Sequence, residues 1–198
     1  MLSAHASSKL KENMTWANLI SLLRPFLVVF CLYFFKDQPY ILAASIVILL
    51  LMDALDGFVA RKFNQASKLG AHIDILCDRI LEIVILFVYA KWGLISYFFP
   101  IVFMIRGILT DSLRYLNEIY KDEKYKHPLS LGKADNRFFR GFTNTTKILA
   151  FSILPISPEI GLYFLVLALA VNLYRGIPVI FCKRSKQLMR IVWNKIKN

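Results

Sequence analysis

Six long apolar stretches divide the sequence and constrain its fold more than any other feature. A helix needs about 20 mostly apolar residues to cross a bilayer. Of the 198 residues, 57% are hydrophobic and 19% are charged, and a domain of this size cannot bury so much apolar surface in a core of its own. The sequence therefore predicts an all-α integral membrane protein with six transmembrane helices, at Asn18–Phe35, Tyr40–Ala60, Gly70–Ala90, Gly93–Leu113, Asn144–Leu154 (extended backward toward Phe138) and Glu159–Cys182.

Basic residues are concentrated on one side of these stretches. Of the 25 Lys and Arg residues, 19 fall in residues 1–17, 61–69, 114–147 and 183–198, whereas the opposite loops contain only Lys36 and Lys91. This bias places both termini in the cytoplasm or an equivalent compartment. It predicts a multi-pass protein of the cell inner membrane or an organellar equivalent. Topology and attraction to anionic lipid account for most of the net charge of +12, so no nucleic-acid partner is expected.

The C-terminal segment differs in composition from the rest. Residues 183–198 contain six basic residues and no acidic residue, and Leu188, Val192 and Ile196 recur at four-residue spacing. This pattern predicts a basic amphipathic helix at the membrane interface, with a frayed tail as the alternative. The predicted organisation is a six-helix membrane domain at residues 1–182 and a cytoplasmic tail at residues 183–198.

Acidic residues lie where a spanning helix should have none. A charged side chain at the centre of a bilayer helix costs about 2.5–3.5 kcal/mol on insertion scales. One isolated aspartate could pair with an arginine, but four aspartates on two neighbouring spans outnumber the local arginines, Arg61 and Arg79. The acidic residues in or at the edge of the spans are Asp53, Asp56, Asp74, Asp78, Glu82 and Asp111.

Helical geometry brings the aspartates together. An α-helix rotates by about 100° per residue, so Asp53 and Asp56 share a face with the small residues Gly57 and Ala60. Asp74 and Asp78 form one row on the next span. The two spans are antiparallel, so the four carboxylates lie at a similar depth near the cytoplasmic side. They cannot all remain ionised in a low dielectric without cations. Two divalent ions, Mg²⁺ or Mn²⁺, satisfy this requirement and suit phosphoryl transfer.

The same residues carry a family motif. Asp53-Ala-Leu-Asp56-Gly57-Phe-Val-Ala60-Arg61, eight residues, Gly70, three residues, Asp74, three residues and Asp78 match the pattern DxxDGxxARx8GxxxDxxxD at every fixed position. The chain thus resembles the CDP-alcohol phosphotransferase family, also called class I CDP-alcohol phosphatidyltransferases. Within it, the chain is most similar to phosphatidylglycerophosphate synthases.

The resemblance implies an activity and a set of roles. It implies transfer of the phosphatidyl group from CDP-diacylglycerol to an alcohol, with release of CMP, by a homodimer in the bilayer whose active site opens to the cytoplasm. Asp78 would be the general base as well as a metal ligand. The implied metal ligands are Asp53, Asp56, Asp74 and Asp78, and the implied CDP-binding residues are Asp53, Gly57, Ala60, Arg61 and Gly70.

The alcohol acceptor is less constrained by the sequence. Asn18-x-x-Ser21-x-x-Arg24 and the pair Arg106 and Arg114 resemble phosphatidylglycerophosphate synthases, which favours sn-glycerol 3-phosphate. Cys77-Asp78-Arg79 is closer to phosphatidylinositol-phosphate synthases, and cardiolipin synthesis is a further alternative. A phosphorylated acceptor needs cations in its pocket, and the candidates are Arg106, Arg114, Lys133, Arg137, Arg140 and Lys147.

Several charged residues keep more than one interpretation. Arg106 could instead pair with Asp111, and Arg24 with a lipid phosphate. Glu82 could pair with Arg79 or Arg24, or contact the acceptor. A cation transporter with intramembrane aspartates is the non-enzyme alternative, but we find no inverted repeat or broken helix of the kind that transporters often show.

Overall fold

The computed structural model describes residues 16–62, 68–119 and 137–197, and the regular structure within them is entirely α-helical. The prediction of an all-α chain is confirmed for these residues, and the first six helices overlap the six predicted apolar segments. The helices are α1 Trp16–Phe34, α2 Pro39–Lys62, α3 Lys68–Lys91, α4 Phe98–Ile119, α5 Arg137–Ile153, α6 Pro158–Phe181 and α7 Lys183–Lys197.

Proline and glycine define several helix ends. Pro39 and Pro158 occupy the first positions of α2 and α6, where the missing N–H of proline costs nothing. Gly93 has a φ of 76°. Its N–H donates to Ala90 O, and Leu94 N–H donates to Tyr89 O, both at 3.0 Å. These bonds form a Schellman cap on α3, which explains why α4 begins at Phe98 and not at Gly93 as the sequence predicted.

The first of two compact units comprises the described residues up to Ser96 together with Phe151–Gly161. Within it, α1 packs against both α2 and α3. Its core contains fully buried aliphatic side chains, among them Val28, Leu42 and Ile85. The buried Tyr89 hydroxyl donates a hydrogen bond of 2.7 Å to the Phe151 carbonyl, which ties the second segment of the unit to α3.

The second unit comprises Tyr97–Ala150 and the described residues from Leu162 onward. Within it, α7 contacts α4, and Leu188 on α7 is fully buried. The Ser185 hydroxyl donates to the Val179 carbonyl and so links α7 to α6. Helix α7 covers most of the segment at residues 183–198, and its predicted role as a basic amphipathic helix at the membrane interface remains a prediction.

The surface is unusually apolar for a protein in water. Phe26 is 73% exposed and Phe181 67% exposed, which a bilayer would tolerate and water would not favour. Within the described part of the chain, α6 alone is long and apolar enough to cross a membrane by length and composition, with shorter apolar stretches at Ser21–Phe34 and Pro39–Met52.

Gly161 tests the packing of the first unit, and Gly141 of the second unit serves as its control. A Cβ at Gly161 would lie 2.6 Å from both the backbone N and Cα of Leu154, whereas one at Gly141 would meet nothing within 4 Å. We expect Gly161→Ala to destabilise the protein by about 1–3 kcal/mol because of this overlap. Gly141→Ala should be neutral or stabilising, since alanine favours a helix interior. Thermal unfolding in detergent measures both variants, and equal melting temperatures would contradict the close approach.

Candidate active site

Two of the predicted metal-binding carboxylates converge on one buried arginine. Arg24 Nη2 lies 2.7 Å from Asp74 Oδ1, and Arg24 Nη1 lies 3.2 Å from Asp78 Oδ1. The Arg24 side chain is 1% exposed, whereas those of Asp74 and Asp78 are 38% and 46% exposed. The arginine therefore approaches both carboxylates from the interior of the first unit.

The local helical geometry explains this arrangement. Asp74 and Asp78 are four residues apart on α3, so both side chains leave the same face about one turn apart. Helix α1 packs along α3 and contributes Arg24. The planar guanidinium presents several N–H groups in a fixed fork, which lets one side chain contact both carboxylates.

The described donors fit a hard divalent cation. Carboxylate oxygens are the ligands that Mg²⁺ and Mn²⁺ prefer, and the partial exposure of Asp74 and Asp78 leaves both accessible. No group of three or more His, Cys, Asp or Glu side chains comes together in the part of the chain that the structure describes. The other two predicted ligands, Asp53 and Asp56, have side chains outside that part.

The predicted CDP-binding residues lie on the two helices that carry the aspartates. Gly70 is in the first turn of α3 and is half-buried. The remaining four belong to the C-terminal half of α2, where the structure describes the helix but not the side chains. They are Asp53, Gly57, Ala60 and Arg61.

Glu82, on the turn after Asp78, has a definite partner. Its Oε2 accepts a hydrogen bond of 2.7 Å from Arg79 Nη1, and the Glu82 side chain is only 8% exposed. The sequence left Arg79, Arg24 and the acceptor as possible partners of Glu82, and the structure shows the contact with Arg79. Asp111 Oδ1 lies 3.8 Å from Arg114 Nη1. The structure therefore shows an ion pair between Asp111 and Arg114, which is three residues further along α4.

A buried arginine in the second unit rests against a glycine. Arg106, on α4, is 7% exposed. A Cβ at Gly176, on α6, would lie 2.7 Å from Arg106 Nε and 3.2 Å from Arg106 Cγ. Helix α6 can pass this close to the arginine because position 176 has no side chain.

Two further basic residues of the second unit contact neighbouring helices. Arg175 Nη1 donates to Thr143 Oγ1 at 3.1 Å, and Lys147 Nζ lies 5.9 Å from the centre of the Phe103 ring. Arg106, Lys147 and Arg175 thus lie on three different helices of one unit. Arg175 is not among the predicted site residues, although a basic residue inside an apolar segment is a signal for a functional role.

Of the other predicted acceptor-binding residues, the structure describes the side chain of one. Arg114 is exposed on α4. Lys133 lies outside the described residues, and the side chains of Arg137 and Arg140 at the start of α5 are likewise outside the described part of the chain.

Comparison with known proteins identifies one family. A family model described as CDP-alcohol phosphatidyltransferase matches residues 14–174. The match includes the whole aspartate motif and extends through most of α6.

Named relatives divide between two acceptor alcohols. A CDP-diacylglycerol–glycerol-3-phosphate 3-phosphatidyltransferase of Aquifex aeolicus is 39% identical over 83 residues, which are 41% of this chain and 42% of the relative. One of Wigglesworthia glossinidia brevipalpis is 30% identical over 104 residues, 50% of this chain and 56% of the relative. A CDP-diacylglycerol–inositol 3-phosphatidyltransferase of Schizosaccharomyces pombe is 42% identical over 62 residues, 31% of this chain and 26% of the relative. The chain therefore matches between about a quarter and a little over half of the length of these relatives.

Gly176 offers a test of how Arg106 is held. Gly176→Ala should lower the stability by about 1 kcal/mol or more, because the added methyl group displaces a buried side chain. In an Arg106→Ala background the arginine side chain is absent, so Gly176→Ala should be neutral or stabilising. Thermal unfolding of the four proteins of this cycle measures the coupling, and an equal effect of Gly176→Ala in both backgrounds would contradict the contact.

Proposed function

The chain belongs to the CDP-alcohol phosphatidyltransferase family, and from this premise we propose that it transfers the phosphatidyl group of CDP-diacylglycerol to an alcohol. The transfer releases CMP and serves phospholipid synthesis. The family match over residues 14–174 carries the proposal. The names of the relatives support it, as do Asp74 and Asp78, which share one face of α3 and are accessible.

The proposed acceptor is sn-glycerol 3-phosphate, which would give phosphatidylglycerophosphate. Relatives named for this acceptor match half of the chain or a little less. Inositol or its phosphate is the second candidate, because a relative named for inositol is 42% identical over 62 residues. A phosphatidyl acceptor, as in cardiolipin synthesis, has no named relative among these to support it.

The motif aspartates form the proposed metal site. Asp53 and Asp56 on α2, and Asp74 and Asp78 on α3, would hold two Mg²⁺ or Mn²⁺ ions. When bound, these ions supply positive charge that neutralises the pyrophosphate and the departing CMP. Gly57, Ala60, Arg61 and Gly70 would hold the CDP group, with the small residues allowing it to approach the helix backbones.

Asp78 is the proposed general base. It would accept the proton of the acceptor hydroxyl as the acceptor oxygen attacks the β-phosphorus of CDP-diacylglycerol. A new P–O bond forms at that phosphorus, and the bond from the phosphorus to the oxygen of CMP breaks. CMP leaves with the electron pair of the broken bond.

Several basic residues would bind the phosphate of the acceptor. Arg106 and Lys147, together with Arg175, lie on the neighbouring helices α4, α5 and α6. Guanidinium groups suit phosphate oxygens, since they donate two parallel hydrogen bonds. Arg114, Lys133 and Arg140 complete the proposed set.

We further propose that α1 to α6 all cross the bilayer, with both termini on the cytoplasmic side and α7 at the interface. The distribution of Lys and Arg and the exposed apolar side chains support this topology. The lipid substrate would enter from the bilayer and the acceptor from the cytoplasmic side. A homodimer is proposed from the family resemblance.

An acceptor screen tests the proposed activity. Purified protein receives CDP-diacylglycerol, Mg²⁺ or Mn²⁺, and one alcohol at a time, and CMP release is measured. We expect the fastest release with glycerol 3-phosphate. CMP release only with inositol or its phosphate would show that this alcohol, and not glycerol 3-phosphate, is the acceptor. The absence of CMP release with glycerol 3-phosphate, inositol, inositol phosphate, serine and phosphatidylglycerol would contradict the proposed transferase activity.

Removing the proposed base should stop turnover without abolishing substrate binding. We expect Asp78→Asn to lower kcat at least about a hundredfold, the usual contribution of general-base catalysis. Binding of CDP-diacylglycerol, measured by calorimetry, should be retained in large part. Full activity of Asp78→Asn would exclude Asp78 as the base.

Arg106 should act on the acceptor and not on the lipid substrate. Arg106→Ala should raise KM for glycerol 3-phosphate about tenfold or more, because a hydrogen-bonded charge partner of the phosphate is lost, while KM for CDP-diacylglycerol stays near its original value. Lys36→Gln, which removes one exposed charge outside the proposed pocket, is the control. An unchanged acceptor KM in a folded Arg106→Ala protein would remove Arg106 from the pocket.

A further inference from the structure

We propose that Arg24 is a positioning residue for the divalent-cation site, holding Asp74 and Asp78 from the buried side so that their accessible sides face the metal. The inference rests on the proposed metal-dependent transfer. It gives the first helix, which carries none of the motif aspartates, a defined part in building the site.

The difference in exposure between the three side chains gives the direction of the contact. Arg24 is 1% exposed, and its partners are 38% and 46% exposed. A cation arriving from outside the unit therefore reaches the carboxylates without first passing the guanidinium. Arg24 lies behind the ligands and does not occupy the side from which the metal comes.

The contact also leaves the carboxylates able to coordinate. Both ion pairs use Oδ1 of the aspartate, and an ionised carboxylate has two oxygens with about four acceptor positions in total. Hydrogen bonds to metal-binding groups from an outer layer fix the orientation of those groups. Arg24 is placed to do this for two ligands at once.

Charge repulsion explains why such a residue is needed. Asp74 and Asp78 are one turn apart on α3, where like charges repel. The guanidinium contacts the first with Nη2 and the second with Nη1, which keeps both side chains in one orientation. A lysine would bring the same charge as a single point and lacks the planar fork that matches both carboxylates.

The test measures Mn²⁺ affinity directly, by the loss of the free-ion electron paramagnetic resonance signal, on the purified full chain in detergent. We compare the wild type with Arg24→Gln and Arg24→Lys. Lys36→Gln is the matched control for charge, because it removes one exposed cation 12 positions along the chain, beyond the end of α1. Thermal unfolding with a chelator present reports stability separately from metal binding.

A positioning role predicts a specific pattern. Mn²⁺ affinity should fall about 10–100-fold in Arg24→Gln, the usual effect of losing a partner of a metal ligand. Arg24→Lys should recover most of the stability but still bind Mn²⁺ several-fold more weakly than the wild type. Lys36→Gln should match the wild type in both measurements.

Other outcomes overturn the inference, and they differ from a failure of the proposed function. Equal or tighter Mn²⁺ binding by Arg24→Gln would make Arg24 a bystander or a competitor of the metal. If Arg24→Gln does not fold, the Mn²⁺ affinity of Arg24→Lys is the deciding measurement. An affinity equal to that of the wild type would then contradict the inference. A wild type that binds no Mn²⁺ would instead refute the metal dependence on which the inference rests.

Discussion

One buried guanidinium contacts two carboxylates of the first unit, and the arrangement of the candidate site depends on this interaction. Charges inside an apolar helical protein are costly unless they are paired and hydrogen-bonded. Arg24 meets this requirement through contacts of 2.7 Å to Asp74 and 3.2 Å to Asp78. The same contacts join α1 to α3 and orient two acidic side chains together. The guanidinium is the buried charge that needs partners, and the two carboxylates that serve as its partners are 38% and 46% exposed and remain accessible to a cation.

Each compact unit buries one arginine against partners of its own. In the first unit, Arg24 contacts Asp74 and Asp78. In the second unit, Arg106 is 7% exposed and lies against Gly176, with Lys147 and Arg175 on neighbouring helices.

The periodicity of the sequence predicted the helices better than the side-chain contacts between them. The apolar segments follow from local chemistry, and so does the shared face of Asp74 and Asp78. The pairing of Arg24 with these aspartates does not, because a helical pattern defines the faces of a helix but not the neighbour that packs against each face. For the same reason the closeness of Gly176 to Arg106, a contact between distant parts of the chain, was not predictable. The start of α4 was misplaced because the cap on α3 uses Gly93.

The most direct test of a cation site organised by Arg24 is an anomalous-scattering map of crystals of the wild-type protein soaked in Mn²⁺. We expect manganese peaks bounded by the motif aspartates, with the carboxylates of Asp74 and Asp78 still contacting Arg24 on their inner side. Aspartate side chains that point apart with no manganese between them, in crystals where the ion is present at saturating concentration, would contradict the account.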